Sequence, residues 1–272
     1  MSEGGRSSAL RGTAFRLMIA ITTVGFGGYS LLLPVVPLWV ARGGSGAFGA
    51  GASTGMFMLF TVLTQPLVPW LLRRVGHRWV MGTGLVLMGV PAPLLALSAA
   101  LPSVLPLAAL RGVGFGLVTV CGGALLAELV PPSEHGRASA RYGLAVGVPQ
   151  LVLLPVGVGI VDRFGFPWVL AAGASPLLGA LLVPFLRPRA SDPRTAQPRA
   201  ADVGLDPIED TATRSSRWPR GTAGPTLAML SCAVAQGGLV TFLPLVGTGV
   251  SAAAALFGTA VGAVLGRLVA GE

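Results

Sequence analysis

Lysine is absent from this 272-residue sequence, charged residues make up only 11% of it, and there are two cysteines, two histidines and two tyrosines. Each shortage excludes something. Cys121 and Cys232 both fall inside apolar runs, where a free cysteine behaves as a small hydrophobe, so neither a disulfide framework nor a thiolate metal site is supported. His77 and His135 both lie between apolar runs. With no HExxH pair, no intramembrane aspartate pair and no Ser/His pairing at membrane depth, a hydrolytic or metal site has no material; no enzyme activity, metal or cofactor is expected. So few charges, with 53% hydrophobic residues and a mean hydropathy of +0.76, also exclude an ordinary soluble domain. An all-α, polytopic membrane protein in contact with a lipid bilayer is the class that remains.

The formal net charge of +9 would suggest nucleic acid in a soluble protein. Here every basic residue is arginine and most lie between apolar runs, which points to membrane topology and to no nucleic-acid partner. Arg6, Arg11 and Arg16 precede an apolar run in the manner of a signal peptide. That run continues from Leu17 to about Val40 without a clear small-residue cleavage site, so a retained first span is expected.

A membrane-spanning helix needs about 20 largely apolar residues. Eight runs qualify, at roughly 17–40, 51–72, 79–101, 105–129, 142–161, 168–186, 226–247 and 251–270. With the N-terminus inside, the cytoplasmic side collects Arg6, Arg11, Arg16, Arg73, Arg74, Arg78, Arg137, Arg141, the arginines from Arg187 to Arg220, and Arg267. The outside receives only Arg42 and Arg163, and Arg111 is left inside a span. The arginine bias therefore predicts a cytoplasmic N-terminus. Residues 187–224 are rich in Arg, Pro, Asp and Ser and poor in aliphatics, so they cannot bury enough apolar area to offset the entropy of ordering and read as a flexible cytoplasmic linker. The domains are thus 1–16, a cytoplasmic N-terminus; 17–186, a six-span half; 187–224, the linker; and 225–272, two further spans.

Those last two spans echo the first two. "GGYSLLLP" at 27–34 matches "GGLVTFLP" at 237–244, placing Gly27, Gly28, Leu33 and Pro34 over Gly237, Gly238, Leu243 and Pro244. A repeat that opens the run after a central linker fits two parallel halves. Other segments stand out by position: "PWLLRRVGHR" (Pro69–Arg78) between spans two and three, "ALRGVGFGLV" (Ala109–Val118) in span four, "AELVPPSEHGRA" (Ala127–Ala138) after it, and Pro149, Pro155, Gly157 and Gly159 in span five.

In this order, these features resemble the major facilitator superfamily of secondary transporters. The resemblance covers the whole chain and rests on the order of the motifs. Against the family's "GxLaDRxGRR" loop, Arg74, Gly76 and Arg78 keep their places, while Pro69 replaces the first Gly, Arg73 the Asp and His77 one Arg. Against "RxxQGxGxA", Gly112 and Gly114 fit, Arg111 stands at the Gln and Ala108 at the Arg. Span five resembles the signature of antiporter members. The resemblance implies an MFS-like six-helix N-terminal bundle plus the first two helices of a second bundle. It also implies alternating access to a small-molecule substrate in a cell membrane, with export as the direction. "GRLVAGE" (Gly266–Glu272) then falls where the second half would repeat the loop motif, with Gly271 at its first glycine. The expectation is a chain truncated after the eighth helix, with a missing C-terminal half or a partner subunit. The competing expectation is a non-transporting remnant or membrane interaction protein.

Arg111 is the one charge well inside a span, roughly 9 Å from its outer end at about 1.5 Å per residue. A central arginine costs about 2.5 to 3.5 kcal/mol on insertion scales, so it faces a cavity and binds an anion or a partner, or else snorkels to the headgroups. Gln65, Gln150, Gln236 and Tyr29, with Thr61 and Thr119, are further polar candidates for a cavity, and so few charges there favour a lipophilic or neutral substrate. Gly112 and Gly116, Gly143 and Gly147, and Gly258, Gly262 and Gly266 recur every four residues, as close helix packing requires. Gly157 belongs with them, and Pro149 and Pro155 each remove a backbone hydrogen bond and are expected to bend span five. Glu128 and Asp162, at span ends, are the candidate coupling acids. Arg74, Gly76 and Arg78 carry the gating-loop motif, with anionic-lipid contact as the alternative.

Overall fold

The computed structural model describes Leu10, residues 12–186 and 236–246, and Ala254, Phe257, Gly258 and Val261. The expected linker at 187–224, the start of span seven with Cys232, most of span eight, and Arg267 lie outside the described residues. So does the chain before Leu10. Among the described residues there is no strand.

Four helical stretches of the described residues are long and apolar enough to cross a membrane, and the first runs for 85 residues, Thr13–Leu97. That first stretch is three spans with almost no loop between them. The helix α1, Thr13–Val40, passes through a short wide turn, Ala41–Ser45, into α2, Gly46–Thr64. A tight turn at Gln65–Leu67 leads on to α3, Val68–Gly89. The chain reverses at glycines whose backbone leaves the helical region: Gly44 at φ 102°, Gly46 at φ 56° and Gly76 at φ 80°, ψ 163°. Side chains with a Cβ rarely adopt such φ values, so each reversal needs glycine. The sequence predicts a loop at 73–78; the structure compresses it to a single non-helical residue, Gly76.

Span three ends through α4, Pro91–Leu94, and a turn at Leu95–Leu97. Span four is α5, Leu101–Leu129, starting four residues before the expected boundary because the Ala100 backbone is extended and Pro102 suits a first turn. Span five is α6, His135–Phe164, which stays one helix through both Pro149 and Pro155. Span six is divided into α7, Phe166–Ala172, and α8, Pro176–Leu182, followed by a turn at Val183–Phe185. A last described helix, α9, runs Gln236–Val246.

The helices α2 and α3 pack along α5, and α1 packs along α6 and α8. Small residues set these crossings, since apolar side chains gain little by leaving lipid and close backbone approach must supply the packing energy. A Cβ on Gly112 would fall on the carbonyl oxygen of Phe57, and one on Gly116 would lie 2.8 Å from that of Thr61. Thr61 ties the same crossing, its Oγ1 donating to the Phe57 and Gly112 carbonyls at 2.9 and 3.1 Å. Gly157 admits Leu31 of α1 in the same way, with a Cβ 2.7 Å from its carbonyl oxygen. Gly84 and Gly114 make a mutual contact between α3 and α5 that the four-residue spacing did not indicate. Gly143 and Gly258 meet nothing within 4 Å; at these two positions the repeat does not mark a contact among the described residues.

Exposed aliphatics line the periphery. Leu144, Val148, Val152 and Val156 form a stripe along α6, and Leu59, Val62, Leu63 and Leu67 another along span two. Exposed aromatics sit near both ends of the bundle, Trp70 and Trp79 at one, Trp168 and Phe164 at the other. Such a pattern is a surface solvated by lipid with its ends at the interfaces.

Candidate functional site

Side-chain contacts sort the loops into two ends. At one end Arg78 Nη2 donates to the Pro184 carbonyl at 2.6 Å, Arg141 Nη1 to that of Leu10 at 3.4 Å, and His77 Nε2 lies 3.2 Å from Glu128 Oε1. The last pair is at ion-pair distance but lacks hydrogen-bond alignment. Arg74 lies exposed over the Trp70 ring at 5.1 Å. At the other end Arg42 Nη2 is 3.8 Å from Asp162 Oδ1 and its guanidinium covers Phe166, while Trp39 Nε1 donates to the Leu95 carbonyl at 2.9 Å. The two candidate coupling acids therefore sit at opposite ends, each beside a basic side chain.

Between the ends lies Arg111. Because α5 begins at Leu101, Arg111 is ten residues into the helix, about 15 Å along it. It is 5% exposed, so it points inward and does not snorkel. Its guanidinium stands 5.7 Å from the centre of the Phe57 ring, and its Nε meets no hydrogen-bond acceptor among the described residues. The cavity it borders is also lined by Tyr29, Leu32, Leu33, Val36 and Pro37 of α1, Ser53, Thr54 and Phe57 of α2, and Ala108 of α5. Its volume of about 20 Å³ has room for a single water-sized group.

Aromatic rings form one wall. Tyr29 stacks on Phe115 at 4.2 Å between ring centres and 18° between planes, and Phe26 and Phe57 pack around that pair. Tyr29 is buried among them and lines the cavity shared with Arg111. Two of the lining residues, Thr54 and Leu33, also meet α9. Thr241 of α9 donates to Thr54 Oγ1 at 3.3 Å, and Val240 and Leu243 pack with Leu33, Leu154 and Val158.

Of the polar residues singled out from sequence, only Tyr29 and Arg111 converge here. Gln65 is exposed in the turn after α2 and Gln150 is half-buried on α6, and neither lines the Arg111 cavity; Gln236 is half-buried in α9. Thr61 and Thr119 spend their hydroxyls on helix carbonyls. Pro149 is buried in α6 and Pro155 half-buried. Among the described residues, no group of three or more His, Cys, Asp or Glu is placed to hold a metal ion. Sequence reading missed Ser53, Thr54 and the Phe26, Phe57 and Phe115 cluster, because phenylalanines on separate spans carry no signal of their mutual contact.

The family model of the Major Facilitator Superfamily matches residues 18–272. The chain belongs to the major facilitator superfamily. Two similar relatives are uncharacterized MFS-type transporters of Mycobacterium tuberculosis, from strains H37Rv and CDC 1551. Each is 27% identical over 162 residues, which is 60% of this chain and 23% of the relative. The match thus spans about a quarter of the length of these curated relatives.

Proposed function

We propose that this protein carries a small molecule across the membrane by alternating access, as a secondary transporter working in export. The observation that carries the reading is the Arg111 cavity: a charged side chain held at mid-bundle, in a space bounded by α1, α2 and α5 and touching α9 through Thr54 and Leu33. A binding residue placed where two bundles meet can be exposed to one side and then the other as they rock. Family membership supports transport over catalysis. Export rests on the span-five residues Pro149, Pro155, Gly157 and Gly159. In this reading residues 17–186 form one rocking half, 187–224 a cytoplasmic tether, and 225–272 the opening of the second half. The N-terminus faces the cytoplasm of a plasma membrane, as the arginine bias requires. Arg74, Gly76 and Arg78 shape the loop at the cytoplasmic end, Gly112, Gly116 and Gly157 form the sliding contacts, and Glu128 and Asp162 are the available coupling acids. Gln65, Gln150 and Gln236 remain proposed contacts in other conformations of the cycle.

The test is efflux from cells preloaded with fluorescent compounds of different charge. Expressing the chain should speed loss of at least one dye, and Arg111→Ala should abolish the gain while leaving membrane-inserted protein at wild-type abundance. Equal retention of every dye with and without the protein would remove the transport reading.

A further inference from the structure

Arg111 carries a charge that nothing in the described structure balances. The sequence contains ten acidic residues, and outside the termini and the 187–224 segment they are only Glu128, Glu134 and Asp162. Glu128 lies 17 residues further along the same helix, about 25 Å away, beside His77. Glu134 precedes α6 at the same end, and Asp162 faces Arg42 at the opposite one. The segment 225–271 contains no acid at all. Of the groups that do reach the cavity, Phe57 offers a ring face and Tyr29, Ser53 and Thr54 offer hydroxyls. A ring face stabilises a desolvated guanidinium only partly, and hydroxyls carry no formal charge.

We propose that the Arg111 cavity is an anion site whose ligand is a small organic acid, its carboxylate seated on the guanidinium and its apolar body laid against Leu33, Val36 and Pro37. This deepens the transport reading and rests on it, naming the substrate class. It also replaces the neutral substrate that the scarcity of intramembrane charge suggested. Three features of the cavity specify the ligand. A guanidinium is a fixed cation whose N–H donors suit a carboxylate. The volume of about 20 Å³ takes one water-sized group, so one carboxylate oxygen enters it and the rest of the molecule lies outside. The lining residues Leu33, Val36 and Pro37 of α1 are aliphatic or proline, which favours a hydrocarbon or aromatic body over a sugar or a polyanion.

The experiment is calorimetric titration of the full chain in lipid nanodiscs with benzoate, phenylacetate and indole-3-acetate. Each is paired with its neutral amide, and chloride and inorganic phosphate serve as competitors. At least one carboxylate should bind ten-fold or more tightly than its amide. Arg111→Gln should remove that preference and Arg111→Lys should keep part of it, with helix content by circular dichroism unchanged in both. Amides binding as well as acids, or carboxylate affinity unaltered in Arg111→Gln, would overturn the proposal; so would chloride or phosphate binding as tightly as every carboxylate. Reconstitution separates the two readings. Carboxylate binding without flux into proteoliposomes upholds the anion site and removes transport, whereas amide flux without any acid preference upholds transport and removes the anion site.

Discussion

Single residues decide how closely these helices approach. Gly112 has the Phe57 carbonyl where its side chain would begin, and Thr61 fastens the same crossing through the Gly112 carbonyl. Replacing Gly112 with Val should push α2 off α5 and cost about 1 to 3 kcal/mol of stability, measured as a lowered thermal midpoint of purified protein in nanodiscs. Gly123 lies on the exposed side of the same helix with nothing within 4 Å. Gly123→Ala should hold or raise the midpoint, since alanine in a helix is favoured over glycine by about 0.5 to 1 kcal/mol. Similar losses at both positions would mean that helix propensity, and not the crossing, sets the effect. The sequence shows both glycines alike; their difference in burial is set by which face of α5 meets α2.

At the scale of elements, the reversals between spans one, two and three are the weak joints. Gly76 turns the chain between α3's two parts with φ 80° and ψ 163°, a region where an L-residue is strained by about 1 to 3 kcal/mol. Gly76→Ala should therefore lower the thermal midpoint and raise protease cutting between Arg74 and Arg78. Gly136→Ala, in an open position of α6 with ordinary backbone, is the matched control and should be silent. Equal protease resistance in both variants would show that the turn tolerates a Cβ. Hydropathy found all six spans of the first half, and placed the start of α5 and α6 several residues late, because their first turns are amphipathic or proline-bearing and lie at the bundle's end. The division of span six at Gly173–Ser175 was not legible. It follows from packing: Gly173 meets Leu32, and Ser175 and Pro176 crowd Gly28, so the chain bends around α1.

For the whole molecule the proposed orientation rests on the arginine bias, and side-chain contacts show which loops share an end. Arg78, Arg141 and His77 meet partners at one end, Arg42 and Trp39 at the other. In a background with Cys121→Ala and Cys232→Ala, Ala47→Cys should react with a membrane-impermeant maleimide in intact cells. Ser133→Cys should react only after permeabilisation. The reverse pattern would invert the proposed topology.

Composition and hydrophobic length alone determined the class and the spans, because both are properties of the chain read in one dimension; the family was legible in the order of its motifs. They also marked Arg111 as costly. Whether it snorkels, pairs with an acid or faces a cavity was decided only in three dimensions. Its helix begins earlier than hydropathy indicates, its side chain turns inward to Phe57 and Tyr29, and both nearby-seeming acids are spent at the ends of the bundle. A charge's energy depends on its surroundings within a few ångströms, and those surroundings come from spans far apart in sequence.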